Sequence, residues 1–410
     1  MIIITGEHSS AVVYSDIISD TANEQILQIC NHPMFASSVI RIMPDCHAGK
    51  GCVIGLTSVS SDKIVIPNLV GTDIGCGVMT TIFESGEIID FSRLDRYIRS
   101  EVPGGNNIRT APHPQVKDID LLWENVMHIC KIIQKEELAD HFINSIGTLG
   151  GGNHFIEIDH ITDNRYMLSV HTGSRSLGTH ICKFFQSKAS VIDERMKNVL
   201  IHKHNTAKNA EEHRRITCEI ENLPKVSREQ AYISDELFDA YIDCMLRAKD
   251  YAEENRRCIS DAIIEHLICE NNITVIERFD TVHNYADWYD NEHTAIIIRK
   301  GAVAAENGQR LCIPLNMRDG IIVGTGKGNA DWNRSAPHGA GRLLSRSAAK
   351  HGITMTEYIS AMSGVNTWSV NENTIDEAPQ AYKPSEDIIK RIADTVEIDF
   401  IARTIYNFKT

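Results

Sequence analysis

Short apolar runs separated by glycine and polar turns fill the first eighty residues: VVYSDI, CVIGLTSV, KIVIPNLVG and GVMTTIF. Runs of this length, rich in Val and Ile, predict strands. The opening MIIITGEHSSAVVYSD lacks a basic flank and a small-residue cleavage site, so it reads as a first strand and not a signal peptide. A helical period follows over about residues 118–144. GTLGGGNHFIEI then runs from a glycine turn into a strand, and YMLSVHTGSRSLG from a strand into a polar turn. Over about 179–270 long charged stretches with helical spacing dominate. Within them, HKHNTAKNAEEHRRITCEIENLPKVSRE is polar enough for a mobile helical lobe, and its His202, His204 and His213 read as a solvated face. Strand patterning returns at TVIERF, TAIIIRKGAVAA and DGIIVGTG, and the last hundred residues mix loops with a helix predicted from near Arg342. A β-rich first and last third with helices between them predict an α+β fold. The expected organisation is one large domain over 1–410 with mixed sheets and a helical insertion over 179–270.

Composition narrows the class. No run of eighteen apolar residues occurs, so no membrane partner is expected. The eleven cysteines are all single, with no CxxC, which predicts reduced thiols in a cytoplasm. A net charge of −14 argues against a nucleic-acid partner. Residues 299–346 reverse that balance locally, with eight Lys or Arg against three Asp or Glu.

Four segments place chemistry beside turns at the ends of strand-like runs: Asp73 and Cys76 in GTDIGCG, Asn153 and His154 in GGGNHFIE, His171 in VHTGSR, and His283 and Asn284 in VHNYAD. Strand ends converge in space, so these groups are candidates for one site. An acid, a thiol and three imidazoles form a full ligand set for transition metals, and two ions would suit phosphoryl chemistry. Hydrogen-bonded loop histidines remain the alternative, because no compact motif such as HExxH anchors the set. In SAPHGAGRLLSR, His338 stands before the predicted helix, with Gly339, Ala340 and Gly341 following and Arg342 and Arg346 four apart. Free N–H groups at a helix start with two arginines would bind an anion; a plain capped helix is the alternative. Asp45 in MPDCHAGKG is a candidate to orient the His338 imidazole, and His47 beside it reads as structural. There is no GxxxxGK[ST] and no GxGxxG, and MRDG at 317–320 has Met where a lysine nucleophile would need KxDG.

Taken in order, MPDCHAGKG, VGTDIGCG, GGGNHFIE, VHTGSR, HN, RKGA and SAPHGAGRLLSR resemble the RtcB family of RNA-splicing ligases, and the tail IYNFKT resembles its C-terminal lysine segment. The resemblance implies a ligase dependent on GTP and two Mn²⁺ ions. Its RNA partner would carry a 3′-phosphate or 2′,3′-cyclic phosphate at one end and a 5′-hydroxyl at the other, with an archease-like or repair-associated helper possible. By the same resemblance, Asp73, Cys76 and His154 hold one ion, and Cys76, His171 and His283 the other. His338 forms a histidine–GMP intermediate. Asn153, His154, Phe155, Glu157, His283, Asn284, Pro314, Leu315, Asn316, Met317, Gly339, Ala340 and Gly341 line the GMP site, and Lys409 contacts guanine. Arg175, Lys300, Arg342 and Arg346 bind RNA phosphates. Ligand softness alone would name zinc; Mn²⁺ rests on the resemblance. CIPLNMRDG departs from the family's PGSM turn at Leu315 and Asn316, and RKGA lacks the Arg often found shortly after it. These departures mark a divergent branch whose substrate could be damaged RNA. Two other readings compete: a two-metal cyclic-phosphate phosphoesterase that does not ligate, and a non-catalytic RNA-end binder.

Overall fold

The computed structural model describes residues 1–192, 194–223 and 225–410. The fold is α+β. One six-stranded sheet runs in the order Ile2–Thr5, Ser10–Val13, Val39–His47, Ile54–Ser60, Ile296–Lys300, Asn284–Trp288. A seven-stranded sheet runs Thr274–Val282, Gly77–Glu84, Arg165–Thr172, Phe155–Thr162, Val396–Phe408, Gly320–Gly326, Arg310–Asn316. Both draw strands from the first and last parts of the chain. Gly77–Glu84 is buried along nearly its whole length, as expected of a central strand covered on both faces. It pairs with Arg165–Thr172 on one side and Thr274–Val282 on the other.

The span 179–270 holds the helix Arg175–Lys188 for most of its length, then Glu194–Thr206, Ala210–Glu221 and Asp235–Asn271; residues 193 and 224 of that span lie outside the described residues. Glu194–Thr206 and Ala210–Glu221 pack over a small cluster of Leu200, Ile216 and Leu223. The 37-residue helix Asp235–Asn271 is a central element: it packs on strands of both sheets. Its inward stripe includes two polar residues, Asn255 and Arg256, both fully buried. Arg256 pairs bidentately with Asp280 at 2.7 and 2.6 Å, and its Nη1 donates to the carbonyls of Gly75 and Thr172 at 2.7 and 2.8 Å. Asn255 accepts from the amides of Gly147 and Thr148 and donates to Gly173 O. One helix thereby holds the turns that carry Cys76, His154 and His171.

Three local expectations change. KIVIPNLVG gives a two-residue strand, Ile64–Val65, then a short helix Pro67–Val70, with Pro67 at its first position where its missing N–H costs nothing. The helix expected over 118–144 stops at Ile133, because Gln134 turns left-handed and caps it. The helix expected from near Arg342 begins at Arg346. Leu343 and Leu344 give their amides to Ala381 O, and Ser345 caps the helix through Ala348 N. No helix among the described residues is long and apolar enough to cross a membrane.

A candidate active site at the seam of the two sheets

His283 lies between Val282, the last residue of a strand in the seven-stranded sheet, and Asn284, the first of a strand in the six-stranded sheet. Its amide donates to Cys76 O at 2.9 Å, and its carbonyl accepts from Gly301 N at 2.8 Å. Cys76 leads into the strand Gly77–Glu84, and His171 stands near the end of Arg165–Thr172. The predicted ligand residues therefore meet where the chain crosses from one sheet to the other.

They form two groups that share one thiol: Asp73, Cys76 and His154, and Cys76, His171 and His283, with ligand atoms in each within 4.8 Å of one another. The Nδ1–H groups of His154 and His171 donate to Leu149 O and Asn153 O, at 2.8 and 3.1 Å. That fixes Nε2 as the lone-pair nitrogen of each ring. His154 Nε2 faces Asp73 Oδ2 at 2.9 Å and Cys76 Sγ at 3.6 Å. His171 Nε2 faces Cys76 Sγ at 3.3 Å and His283 Nε2 at 3.4 Å. Lone pairs aimed at one another are what a bound cation resolves, so the residues fit a metal centre. Without one, burial pushes the Cys76 thiol far up, with the Asp73 charge adding to it. Burial likewise pushes His171 and His283 far down. Gly173 is required here: a Cβ would stand 2.2 Å from Asp73 Oδ1.

His338 stacks at a tilt on His283, 4.9 Å between ring centroids. Its Nδ1–H donates to Asp45 Oδ2 at 2.6 Å, and its amide donates to the same oxygen at 3.1 Å. Asp45 is fully buried, and Nε2 of His338 is left as a lone pair. Gly341 holds φ at +76°, and a Cβ there would lie 2.1 Å from Asp45 O. A lysine not anticipated from sequence, Lys383, is buried beneath this turn and donates to Pro44 O, Cys46 O and Ser15 Oγ. His47, read as structural, donates to Asp45 O at 2.9 Å and is pushed down to about 4 by burial.

A cavity of about 860 Å³ opens beside these residues. It is lined by Asn153, Phe155, Glu157, His171, His283, Asn284, Pro314 to Met317, His338 to Arg342, Arg346 and Lys409. Within the divergent turn, Leu315 is buried in an apolar cluster, and Asn316 folds back on Asp319 and its amide. Glu157 is buried and accepts from Asn407 and Thr404; burial pushes it up to about 7. Asp159 beside it is pushed well above its ordinary value by burial and by the Glu157 charge.

The four predicted phosphate binders part ways. Arg342 and Arg346 both line the cavity and meet at Glu377, at 3.2 and 2.5 Å, and Arg346 also reaches Asp376 at 2.6 Å. Lys409 Nζ joins the same carboxylate at 3.0 Å. Glu377, which the sequence reading missed, is thus the hub of three cations. Arg175, at φ +54°, donates to Thr148 Oγ1 and Gly105 O beside the metal groups. Lys300 is buried and donates to Lys50 O and Asn68 O, at the edge of a second, smaller cavity.

Comparison with known proteins gives the family. The family model described as tRNA-splicing ligase RtcB matches residues 25–410. The chain is similar to the RNA-splicing ligase RtcB of Escherichia coli (strain K12), 29% identical over 409 residues covering 94% of this chain and 93% of that protein. It is also similar to the tRNA-splicing ligase RtcB of Archaeoglobus fulgidus, 24% identical with 91% and 87% covered. A third relative, the RNA-splicing ligase RtcB homolog 2 of Entamoeba dispar, is 23% identical with 90% and 78% covered.

Proposed function

The chain belongs to the RtcB family, and from that premise we propose that it is an RNA ligase. It would join a 3′-phosphate or 2′,3′-cyclic phosphate end to a 5′-hydroxyl end, using GTP and two Mn²⁺ ions, in RNA repair or tRNA splicing. The observation that carries this reading is the Asp45–His338 pair beside the metal groups. A phosphoesterase needs no nucleotidyl carrier, whereas an imidazole held at Nδ1 presents Nε2 as a nucleophile.

In the proposed sequence, Nε2 attacks the α-phosphorus of GTP; a P–N bond forms and pyrophosphate leaves. Asp45 holds the Nδ1 proton and offsets the positive charge that grows on the ring. The RNA 3′-phosphate then attacks the same phosphorus, the P–N bond breaks, and the RNA end is capped with GMP. The 5′-hydroxyl attacks the capped 3′-phosphorus and GMP leaves, giving the 3′–5′ phosphodiester. Two divalent ions, held by Asp73, Cys76 and His154 and by Cys76, His171 and His283, would polarise phosphoryl oxygens and offset their charge. Arg346, partly exposed, and Arg342 bring cationic donors to the cavity wall for phosphate. Arg175 would do so from the metal side.

Incubation with α-labelled GTP and Mn²⁺ tests the reading. The expected result is an acid-labile labelled band that is absent in His338→Ala. A protein that binds metal, opens cyclic phosphates and never takes the label would instead be the phosphoesterase.

A further inference from the structure

Glu157 sits in the middle of a polar row that crosses the seven-stranded sheet. Its direct partners are Ser169 on Arg165–Thr172 and Asn407 on Val396–Phe408, and Ser169 is in turn the partner of Thr80 on Gly77–Glu84. Directly paired residues point to one face, and so does every second residue along a strand. Asp159, two residues beyond Glu157 and paired with Thr404, therefore shares that face. Its surroundings are apolar: Val78, Ile82, Met167, Cys312, Ile321 and Phe155 pack against one another there.

Glu157, Asp159, Ser169 and Asn407 are each at most 2% exposed. Among the described residues, nine buried polar side-chain atoms lack a hydrogen-bond partner, and four of the nine belong to this cluster: both oxygens of Asp159, Ser169 Oγ and Asn407 Oδ1. Asn407 Nδ2 donates to Glu157 Oε2 at 2.5 Å, and Thr404 Oγ1 donates to Oε1 at 3.2 Å. Turning the amide over would set its oxygen against the carboxylate, so Oδ1 stays an unmet acceptor. A proton shared by the two carboxyls would serve one oxygen of Asp159 and leave the other, with Asn407 Oδ1, still unmet. Among the described residues no cationic side chain bonds to either carboxyl. Lys409, the cation whose field reaches Glu157, donates to Glu377 and to Gly152 O.

We propose that Glu157, Asp159, Ser169 and Asn407 hold a dehydrated alkali cation, Na⁺ or K⁺, on the inner face of the seven-stranded sheet. Every donor is an oxygen, which selects a hard cation over the softer metals suited to a thiol and imidazoles. With one lysine's field on two carboxylates, a single positive charge restores neutrality, which favours a monovalent ion. Glu157 and Asn407 also line the large cavity, which gives the ion a way in. Ser169 lies two residues before His171, and Glu157 two after Phe155, on adjacent strands. A bound ion therefore braces the strands that carry candidate metal ligands. The proposal stands independently of the ligase reading.

The test is thermal unfolding at about pH 8 in NaCl, KCl or choline chloride at equal ionic strength, with equilibrium dialysis against labelled Na⁺ and labelled Rb⁺ as the probe for K⁺. Wild type is expected to retain one ion per chain and to melt about 3 °C higher in about 0.2 M of the fitting alkali salt than in choline chloride. The salt that gives the rise identifies the ion. Asp159→Asn should lose both the rise and the retained ion. Ser169→Ala removes one oxygen and no charge, and should weaken ion binding about tenfold; it decides the matter should the Asp159 variant not fold. Equal melting of wild type in all three salts, with no ion retained, would mean that water or a shared proton meets these oxygens, and would overturn the proposal. Ion binding that survives both substitutions unchanged would overturn it too.

Discussion

Replacing Glu377 with Gln removes one negative charge from the point where Lys409, Arg342 and Arg346 converge. Burial would raise this carboxyl, yet Lys409 and Arg346, followed by the Tyr382 hydrogen bond and Arg342, hold it at about 2 instead of its ordinary 4.5. A carboxyl moved that far contributes about 3 kcal/mol at neutral pH. The closest-held partner, Lys409, is as buried as Glu377, each side chain 3% exposed, so solvent screens that pair little. Arg346 is 46% exposed and adds less. Glu377→Gln should therefore lose about 2–3 kcal/mol in urea denaturation at pH 7. The sign of the pH dependence follows from the depressed value. The stabilisation is complete above the unfolded value near 4.5 and disappears as pH falls through the folded value near 2. The gap between wild type and variant should accordingly shrink by about 40% at pH 3.5. It should change little between 0.1 and 1 M salt. A gap below about 0.5 kcal/mol at pH 7, or one that is flat with pH, would refute the idea that this carboxylate is ionised and holds the cations.

Two further perturbations address the rest of the site. Gly341→Ala places a Cβ 2.1 Å from Asp45 O at a φ of +76° and should cost at least about 2 kcal/mol. Gly86→Ala, with nothing within 4 Å, should stay within about 0.5 kcal/mol; equal melting temperatures for the two would contradict the close approach. Because Cys76 belongs to both ligand groups and His283 to one, elemental analysis should find Cys76→Ser nearly metal-free. His283→Ala should retain about half the wild-type content. Full metal retention in Cys76→Ser would remove the thiol from the centre.

Strands and the side chains that group as candidate ligands were readable for the same reason. The apolar alternation of GVMTTIF and TAIIIRK survives folding because those residues are the core. A histidine or thiol at a turn is visible because turns rarely need one. What sequence reading missed are residues that act from a distance. Glu377 sits in a polar stretch, and nothing local says that three cations from elsewhere meet on it. Lys383 reads as one more surface lysine, yet it is buried against backbone carbonyls around Asp45. Arg256 and Asn255 did leave a trace. They fall on the helical stripe of Ala248, Ala252, Ile259 and Ile263, where only apolar residues are expected. A charged residue at an inward position needs a buried partner. The helix near Arg342 was misplaced because helix propensity ignores Ala381, which takes the amides of residues 343 and 344.

The pairing of Asp45 with His338 also sets a clock. The two are 293 residues apart in the chain. At about 5–20 residues per second of synthesis, Asp45 leaves the ribosome on the order of 15–60 s before its imidazole exists. Throughout that interval a carboxylate destined for full burial has no histidine to meet. The turn that bears it must stay open to water, because closing it early would trap an unpaired charge. Synthesis order thus makes the arrival of His338 the event that permits this part of the molecule to close.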